Sequence, residues 1–167
     1  MPDAVVLGVD PGTRVTGWGV VAVVAGELRG LACDIVAPAS RLPLEQRLYA
    51  IYCELGELIG RYAPDAVAIE EPFVGENVRS AMAVGQARTA AMLAAAAAGL
   101  PVASYPPARV KAAVAGHGRG DKEQVRTMLG LQLGMQRLPE DLNATDALAV
   151  ALCHALALRA AALVGGS

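Results

Sequence analysis

Three short strand-like runs lie close together near the start of the chain; the first two are apolar and rich in valine, and the third alternates loosely between apolar and polar residues. They are Val5–Val9, Gly17–Val24 and Glu27–Val36, and Pro11–Gly12 makes a tight connection between the first two. Apolar, β-branched runs of this length, separated by turn residues, predict strands joined as a hairpin and a meander. A chain that begins in this way must build a sheet, and the segments that follow decide how the sheet is completed.

Helical and strand-like patterns alternate through the rest of the chain. The predicted strands are Ala66–Ile69 and Val102–Tyr105, and the predicted helices are Pro43–Tyr62, Asn77–Ala98, Pro106–Ala115, Asp121–Leu133 and Asn143–Val164. A meander followed by this alternation predicts an α/β fold with a mixed five-stranded sheet flanked by helices. We expect a single domain over residues 1–164 and a flexible tail at 165–167.

Composition limits the class of protein. With 167 residues, of which 54% are hydrophobic and 18% charged, the chain is long enough for a core and too apolar for intrinsic disorder. The apolar segment Thr89–Ala108 is interrupted by glycine and proline. The apolar segment Ala147–Leu158 is too short to span a bilayer. The N-terminus lacks the basic residues of a secretory signal. We therefore expect a cytoplasmic protein with no membrane partner.

The basic residues are concentrated in one part of the chain. Residues 101–137 contain six basic and two acidic side chains, whereas residues 1–100 contain seven basic and eleven acidic ones. Residues 138–167 contain one basic and three acidic side chains. A basic segment between acidic ones suits a protein that binds a polyanion in one place and cations in another, although it also fits an ordinary patchy surface.

Oxygen-bearing side chains follow two of the predicted strands and begin the last helix. Asp10 comes directly after Val5–Val9, and Glu70 comes directly after Ala66–Ile69. Asn143 and Asp146 share one face of the first helical turn. Together the four could hold two divalent ions ~4 Å apart, as in phosphodiester hydrolysis. Taken singly, each also fits a turn cap, an ion pair or a helix N-cap.

Five blocks of this sequence resemble, in order and spacing, the RuvC family of Holliday junction resolvases. The blocks are Val5–Val20, Ala68–Val74, Asn77–Ala87, Arg109–Lys122 and Asn143–Val150. The resemblance implies a ribonuclease-H-like fold and a homodimer that cuts four-way DNA junctions in pairs of symmetric, metal-dependent cuts. It also implies a role in recombination and repair with the RuvA–RuvB branch-migration complex.

The resemblance assigns catalytic and metal-binding roles to Asp10, Glu70 and Asp146, and its fourth position falls on Asn143. The more familiar family pattern has an acid there, and some members have histidine. A carboxamide offers one neutral oxygen, so we expect weaker retention of one of two Mg²⁺ ions and better activity with Mn²⁺. Asp141 lies nearby in the sequence and is a poorer substitute on its predicted helical face.

The resemblance also suggests which residues contact DNA. Phe73 stands where the family places an aromatic that stacks on a base, although a lone phenylalanine is ordinarily a core residue. Lys111 and Lys122 match basic positions of the family and flank a glycine-rich loop suited to phosphate. The remaining candidates, which a solvated charged surface would also explain, are Arg79, Arg109, His117 and Arg119.

Other interpretations remain open at this point. A related ribonuclease-H-like nuclease of the YqgF type would act on RNA, and a chain weakened at Asn143 would bind junctions with little catalysis. An actin-like ATPase would need two such domains, which this length does not provide. Small residues on helix 77–98, such as Ala81 and Gly85, would serve either packing within the domain or dimerisation. We expect His154, deep in an apolar helix, to be structural.

Overall fold

The computed structural model describes residues 1–72, 75, 77–116 and 121–166. The strands are β1 (Ala4–Asp10), β2 (Thr16–Val24), β3 (Glu27–Val36), β4 (Ala66–Glu70) and β5 (Val102–Tyr105). The helices are α1 (Leu44–Tyr62), α2 (Val78–Ala97), α3 (Pro107–Ala115), α4 (Lys122–Leu133) and α5 (Leu142–Gly165). The strands form one sheet in the order β3-β2-β1-β4-β5. The predicted mixed five-stranded α/β fold is confirmed.

The sheet brings the carboxyl ends of three strands to one edge. The β1–β2 hairpin is antiparallel and pairs Asp10 with Gly17, as the Pro11–Gly12 connection predicts. Strands β4 and β5 run parallel to β1, with Val9 beside Ile69. Parallel strands leave their carboxyl ends at the same edge of the sheet, where crossover connections leave room for a ligand.

Helices cover both faces of the sheet and create two apolar cores. Side chains alternate along β1, so that Val5, Leu7 and Val9 pack against α1 and α2, while Val6 packs against α3, α4 and α5. Burial of both faces explains why the strands contain few polar residues. The result is three layers, with the sheet in the middle.

Glycines allow α5 to lie directly on the hairpin strands. A Cβ atom at Gly8 would lie 2.6 Å from the backbone nitrogen of Ala151, and one at Gly19 would lie 2.8 Å from Leu148 Cγ. A Cβ atom at Gly17 would overlap the carbonyl group of Asn143. Because no side chain fits at these positions, the glycines fix how closely α5 approaches the sheet.

Helix α5 is also long and apolar enough, by length and composition, to cross a membrane. An 18-residue window within its 24 residues reaches a mean hydropathy of 2.0. Ten of these residues, from Ala144 to Ala155, are buried within the protein, mostly against the sheet and α3. Its hydropathy is thus that of a central core helix, covered by protein along its first half.

Two details at helix ends differ from the predictions. Helix α5 begins at Leu142, near Asn143 as expected, but its N-cap is Asp141, so the interpretation of Asn143 as a possible cap is wrong. Asp141 caps because its carboxylate reaches the exposed backbone N–H groups of the first turn. At the other end, Gly165 still belongs to α5, and Ser167 lies outside the described residues.

Candidate metal centre and nucleic-acid-binding groove

Asp10 and Glu70 lie side by side on the α5-facing side of the sheet. Each is the last residue of its strand, and the pairing of Val9 with Ile69 places the two strand ends together. Two residues earlier in each strand, Gly8 and Ala68 face α5. Because side chains alternate along a strand, both carboxylates point to that same side.

The first turns of α5 bring Asp146 to the same place. Gly17, the partner of Asp10 in the hairpin, lies directly under Asn143, three residues before Asp146. The charges of Glu70 and Asp146 both act on Asp10, which shows that acidic groups from β1, β4 and α5 converge. Residues separated by 136 positions in the sequence therefore share one site.

Burial and mutual repulsion alter the acidity of these groups. Burial, followed by the charges of Glu70 and Asp146, raises the pKa of Asp10 from 3.8 to about 8. Burial is also the main cause that raises the pKa of Glu70 and of Asp146. A raised pKa means that the surroundings do not stabilise the charged carboxylate as well as water does. A cation at this site would supply that stabilisation.

The donor set fits a hard divalent cation. Carboxylate oxygens on buried strand ends are the ligands that Mg²⁺ and Mn²⁺ favour. Within the described residues, no three His, Cys, Asp or Glu side chains are drawn together closely enough to enclose an ion by themselves. A cation bound here would offset the mutual repulsion of the carboxylates.

Asn143 is held by Asp141, an acid that the sequence interpretation rated as a poor substitute. Asp141 Oδ1 accepts a hydrogen bond of 2.8 Å from the backbone N–H of Asn143 and one of 3.1 Å from its side-chain Nδ2. The charge of Asp141 also raises the pKa of Asp10 and of Asp146. The sequence signal for this arrangement is an N-capping acid two residues before the family's fourth ligand position.

Two clefts meet at the carboxylates. One, of about 580 Å³, is lined by Asp10, Glu70 and the first turns of α2. The other, of about 310 Å³, is lined by Glu70, Asp146 and the basic residues Lys111 and Lys122. Because Glu70 lines both clefts, they form one continuous groove that runs along the carboxylates. The basic part of this groove lies between α3 and α4.

Lys111 and Lys122 both line the second cleft. Both are exposed at the surface, where a phosphate can reach them. Lys122 lies close enough to Asp146 for its charge to lower the pKa of that carboxyl, against the larger effect of burial. A phosphate held by these lysines would therefore lie next to the carboxylates.

Arg126 belongs to the same side of the groove, although it was not among the predicted contacts. It lines the cleft with Lys111 and Lys122, and its Nη2 donates a hydrogen bond of 2.9 Å to the Leu138 carbonyl. Its place four residues after Lys122 on α4 puts both on one helix face, which is the signal that could have identified it.

The other predicted DNA contacts have different surroundings. Arg109 is exposed, and its guanidinium carbon lies 5.1 Å from the centre of the Tyr105 ring. Arg79 is exposed in the first turn of α2, outside the lining of both clefts. Phe73, His117 and Arg119 lie outside the described residues.

His154 pairs with Tyr105 beneath the site. Its Nδ1 lies 2.7 Å from the Tyr105 hydroxyl, and burial lowers the pKa of the imidazole. Tyr105 is itself 6% exposed and lies beside Glu70 in the sheet. The pair links α5 to β5, which agrees with the structural role predicted for His154.

The fold and site together define a metal-dependent nuclease of the ribonuclease-H-like class. A family model described as Crossover junction endodeoxyribonuclease RuvC matches residues 6–154. The chain belongs to this RuvC family, which confirms the resemblance seen in the sequence.

Individual relatives agree with this assignment. The crossover junction endodeoxyribonuclease RuvC of Moorella thermoacetica is 49% identical over 151 residues, which cover 90% of each chain. That of Syntrophomonas wolfei is 46% identical over 149 residues, covering 89% of this chain and 87% of the relative. The structure of T. thermophilus RuvC in complex with a Holliday junction substrate matches with a TM-score of 0.88 at 40% identity, covering 95% and 96% of the two chains.

Proposed function

We propose that this crossover junction endodeoxyribonuclease resolves four-way DNA junctions by hydrolysing phosphodiester bonds in recombination and repair. The observation that carries the proposal is the groove in which carboxylates from β1, β4 and α5 meet the lysines of α3 and α4. A related chain, 40% identical, has been solved in complex with a Holliday junction substrate. The described residues share one sheet with two covered faces, which supports a single nuclease domain over 1–164.

The catalytic residues in this proposal are Asp10, Glu70 and Asp146, with Asn143 as a neutral fourth ligand. Their oxygens would hold two Mg²⁺ or Mn²⁺ ions, with Mn²⁺ favoured because Asn143 adds no charge. When bound, such ions activate water and offset the charge that develops on the phosphate. The carboxylates would hold these ions in position, and the burial of the carboxylates would limit the access of bulk water to the site.

Binding of the DNA is assigned to the residues around the groove. Lys111 and Lys122 would hold the phosphates next to the cut, because both are exposed and line the cleft beside Asp146. Phosphate contacts of this kind position the strand without reading its sequence. The further proposed contacts, carried over from the sequence, are Phe73, Arg79, Arg109, His117 and Arg119.

A homodimer would place two such sites for paired cuts. The buried face of α2 consists of alanines that pack within the protein, Ala90 and Ala94 among them. Val78, Met82 and Leu93 lie on the opposite side of α2 and are 66%, 63% and 57% exposed. This apolar surface supports a self-complementary interface beside the catalytic cleft. The RuvA–RuvB complex, as a further partner, and the cytoplasm, as the location, belong to the same proposal.

The test is cleavage of a labelled four-way junction beside a linear duplex and an RNA hairpin, in Mg²⁺ and in Mn²⁺. We expect paired symmetric cuts in the junction alone, lost in Asp10→Asn and kept in Glu45→Gln, which removes an exposed acid of α1. Tight junction binding without cuts in either metal would mean a binding protein instead. Cutting of the RNA would mean a nuclease of the YqgF type.

A further inference from the structure

The hydrogen bonds between Asp141 and Asn143 determine which way the Asn143 carboxamide faces. A carboxylate only accepts hydrogen bonds, so the group that points to Asp141 Oδ1, 3.1 Å away, is the NH₂ group. The same carboxylate oxygen takes the backbone N–H of Asn143 at 2.8 Å. The side chain is therefore fixed at two points, its backbone and its amide nitrogen.

This constraint leaves the amide oxygen of Asn143 for another partner. Among the described residues, no donor is paired with Asn143 Oδ1, whereas its nitrogen is engaged. The backbone of Asn143 lies on Gly17, directly across the hairpin from Asp10. The Asn143 backbone therefore lies at the edge of the carboxylate cluster, and its side chain begins there.

An unrestrained carboxamide would be a poor ligand at this position. It carries one oxygen and one NH₂ group, and a half-turn about its last bond would present the NH₂ group to a cation. A carboxylate has no such problem, because its two oxygens are equivalent. A neutral ligand thus gains from a partner that holds its orientation, as outer groups do for many metal ligands.

We propose that Asp141 is a positioning residue that holds the Asn143 carboxamide with its oxygen toward the metal centre. The inference rests on the proposed function of the carboxylate cluster and extends it to the position at which this chain departs from the family pattern. Asp141 combines this role with capping α5, and its charge adds to the negative field around Asp10 and Asp146.

The experiment measures Mn²⁺ affinity without DNA, by titration with detection of free Mn²⁺ by electron paramagnetic resonance. The variants are Asp141→Ser, Asn143→Asp and the double variant. Serine is a good N-cap, so it preserves the helix end but is neutral and too short to hold the amide equally well. Asp121→Ser is the matched control, because Asp121 caps α4 through a comparable 2.8 Å bond to the Gln124 N–H.

We expect Asp141→Ser to weaken Mn²⁺ binding about tenfold in the parent chain, the lower end of the usual loss for an outer-shell partner. In the Asn143→Asp background the same change should cost less than about threefold, because a carboxylate needs no orientation. Asp121→Ser should leave the affinity unchanged. The side-chain amide signal of Asn143 in ¹⁵N NMR should shift in Asp141→Ser.

Equal losses in both backgrounds would overturn the proposal, since they would mean that Asp141 contributes only charge or capping. No loss in either background would overturn it as well. The metal centre is tested separately with Asp10→Asn: if this variant binds Mn²⁺ as the parent does, the proposed centre fails, and the positioning role fails with it. If Asp10→Asn loses the Mn²⁺, the result for Asp141 stands on its own.

Discussion

Replacing Asp10 by asparagine should stabilise the metal-free protein, although we expect the same change to abolish catalysis. The cause is the raised pKa of Asp10, about 8 in the fold against 3.8 ordinarily. An acid with a raised pKa binds its proton more tightly in the folded chain than in the unfolded one. Its contribution is therefore fully present below about pH 4 and is lost as the pH rises toward about 8.

The magnitude follows from the slope of this linkage. One proton taken up on folding changes the free energy of unfolding by about 1.4 kcal/mol per pH unit. From pH 6 to pH 8 the free energy of unfolding of the parent should fall by about 2 kcal/mol, whereas that of Asp10→Asn should not change from this cause. The fall is smaller than two full units of slope because half of the Asp10 side chains are already ionised near pH 8. For a chain of this size, that difference corresponds to roughly 4–8 °C in Tm.

Urea unfolding in EDTA at pH 6, 7 and 8 measures the effect. Glu45→Gln is the control, because it removes an exposed acid of α1 and should show no growing difference from the parent. In saturating Mg²⁺ the difference between Asp10→Asn and the parent should shrink, because a ligand at a hundred times its Kd adds about 2.7 kcal/mol to the protein that binds it. A constant difference between Asp10→Asn and parent over this pH range would refute the reasoning.

Three further outcomes are expected. In urea unfolding, Gly17→Ala should lower the free energy of unfolding by about 1–3 kcal/mol, because its Cβ would overlap the Asn143 carbonyl. Gly56→Ala should raise it by about 0.5–1 kcal/mol, because a Cβ there enters open space on α1. Lys122→Ala should flatten the salt dependence of junction binding by about one unit of slope in fluorescence titrations; an unchanged slope would exclude a phosphate contact. Asn143→Asp should reduce the preference for Mn²⁺ over Mg²⁺ in junction cleavage, and an unchanged ratio of rates would contradict the neutral-ligand argument.

The sequence predicted the fold well because its information is local. The valine-rich runs and helical spacings indicated each element to within a few residues, and Val102–Tyr105 has the predicted bounds. Asp10 and Glu70 were recognisable because each ends a buried run. Their roles, and that of Asp146, stay predictions until cleavage and metal binding are measured.

The parts that could not be predicted depend on packing between distant segments. The hydrogen bonds from Asn143 to Asp141 depend on which residue caps α5, and the sequence interpretation had offered Asn143 as that cap. The contribution of Arg126 to the groove depends on how α4 lies beside α3. The sequence offers only indirect signals for them, namely an acid two residues before Asn143 and the four-residue spacing of Lys122 and Arg126.

The contact between α5 and the hairpin also determines when during folding the protein can become a nuclease. A chain folded only as far as β5 has Asp10 and Glu70 together but lacks Asp146, which arrives with the last helix. Docking of α5 buries a long apolar surface and completes the carboxylate set in the same event. A chain without a docked α5 would therefore lack the complete carboxylate set proposed as the active centre, and DNA would meet the activity only after the core has closed.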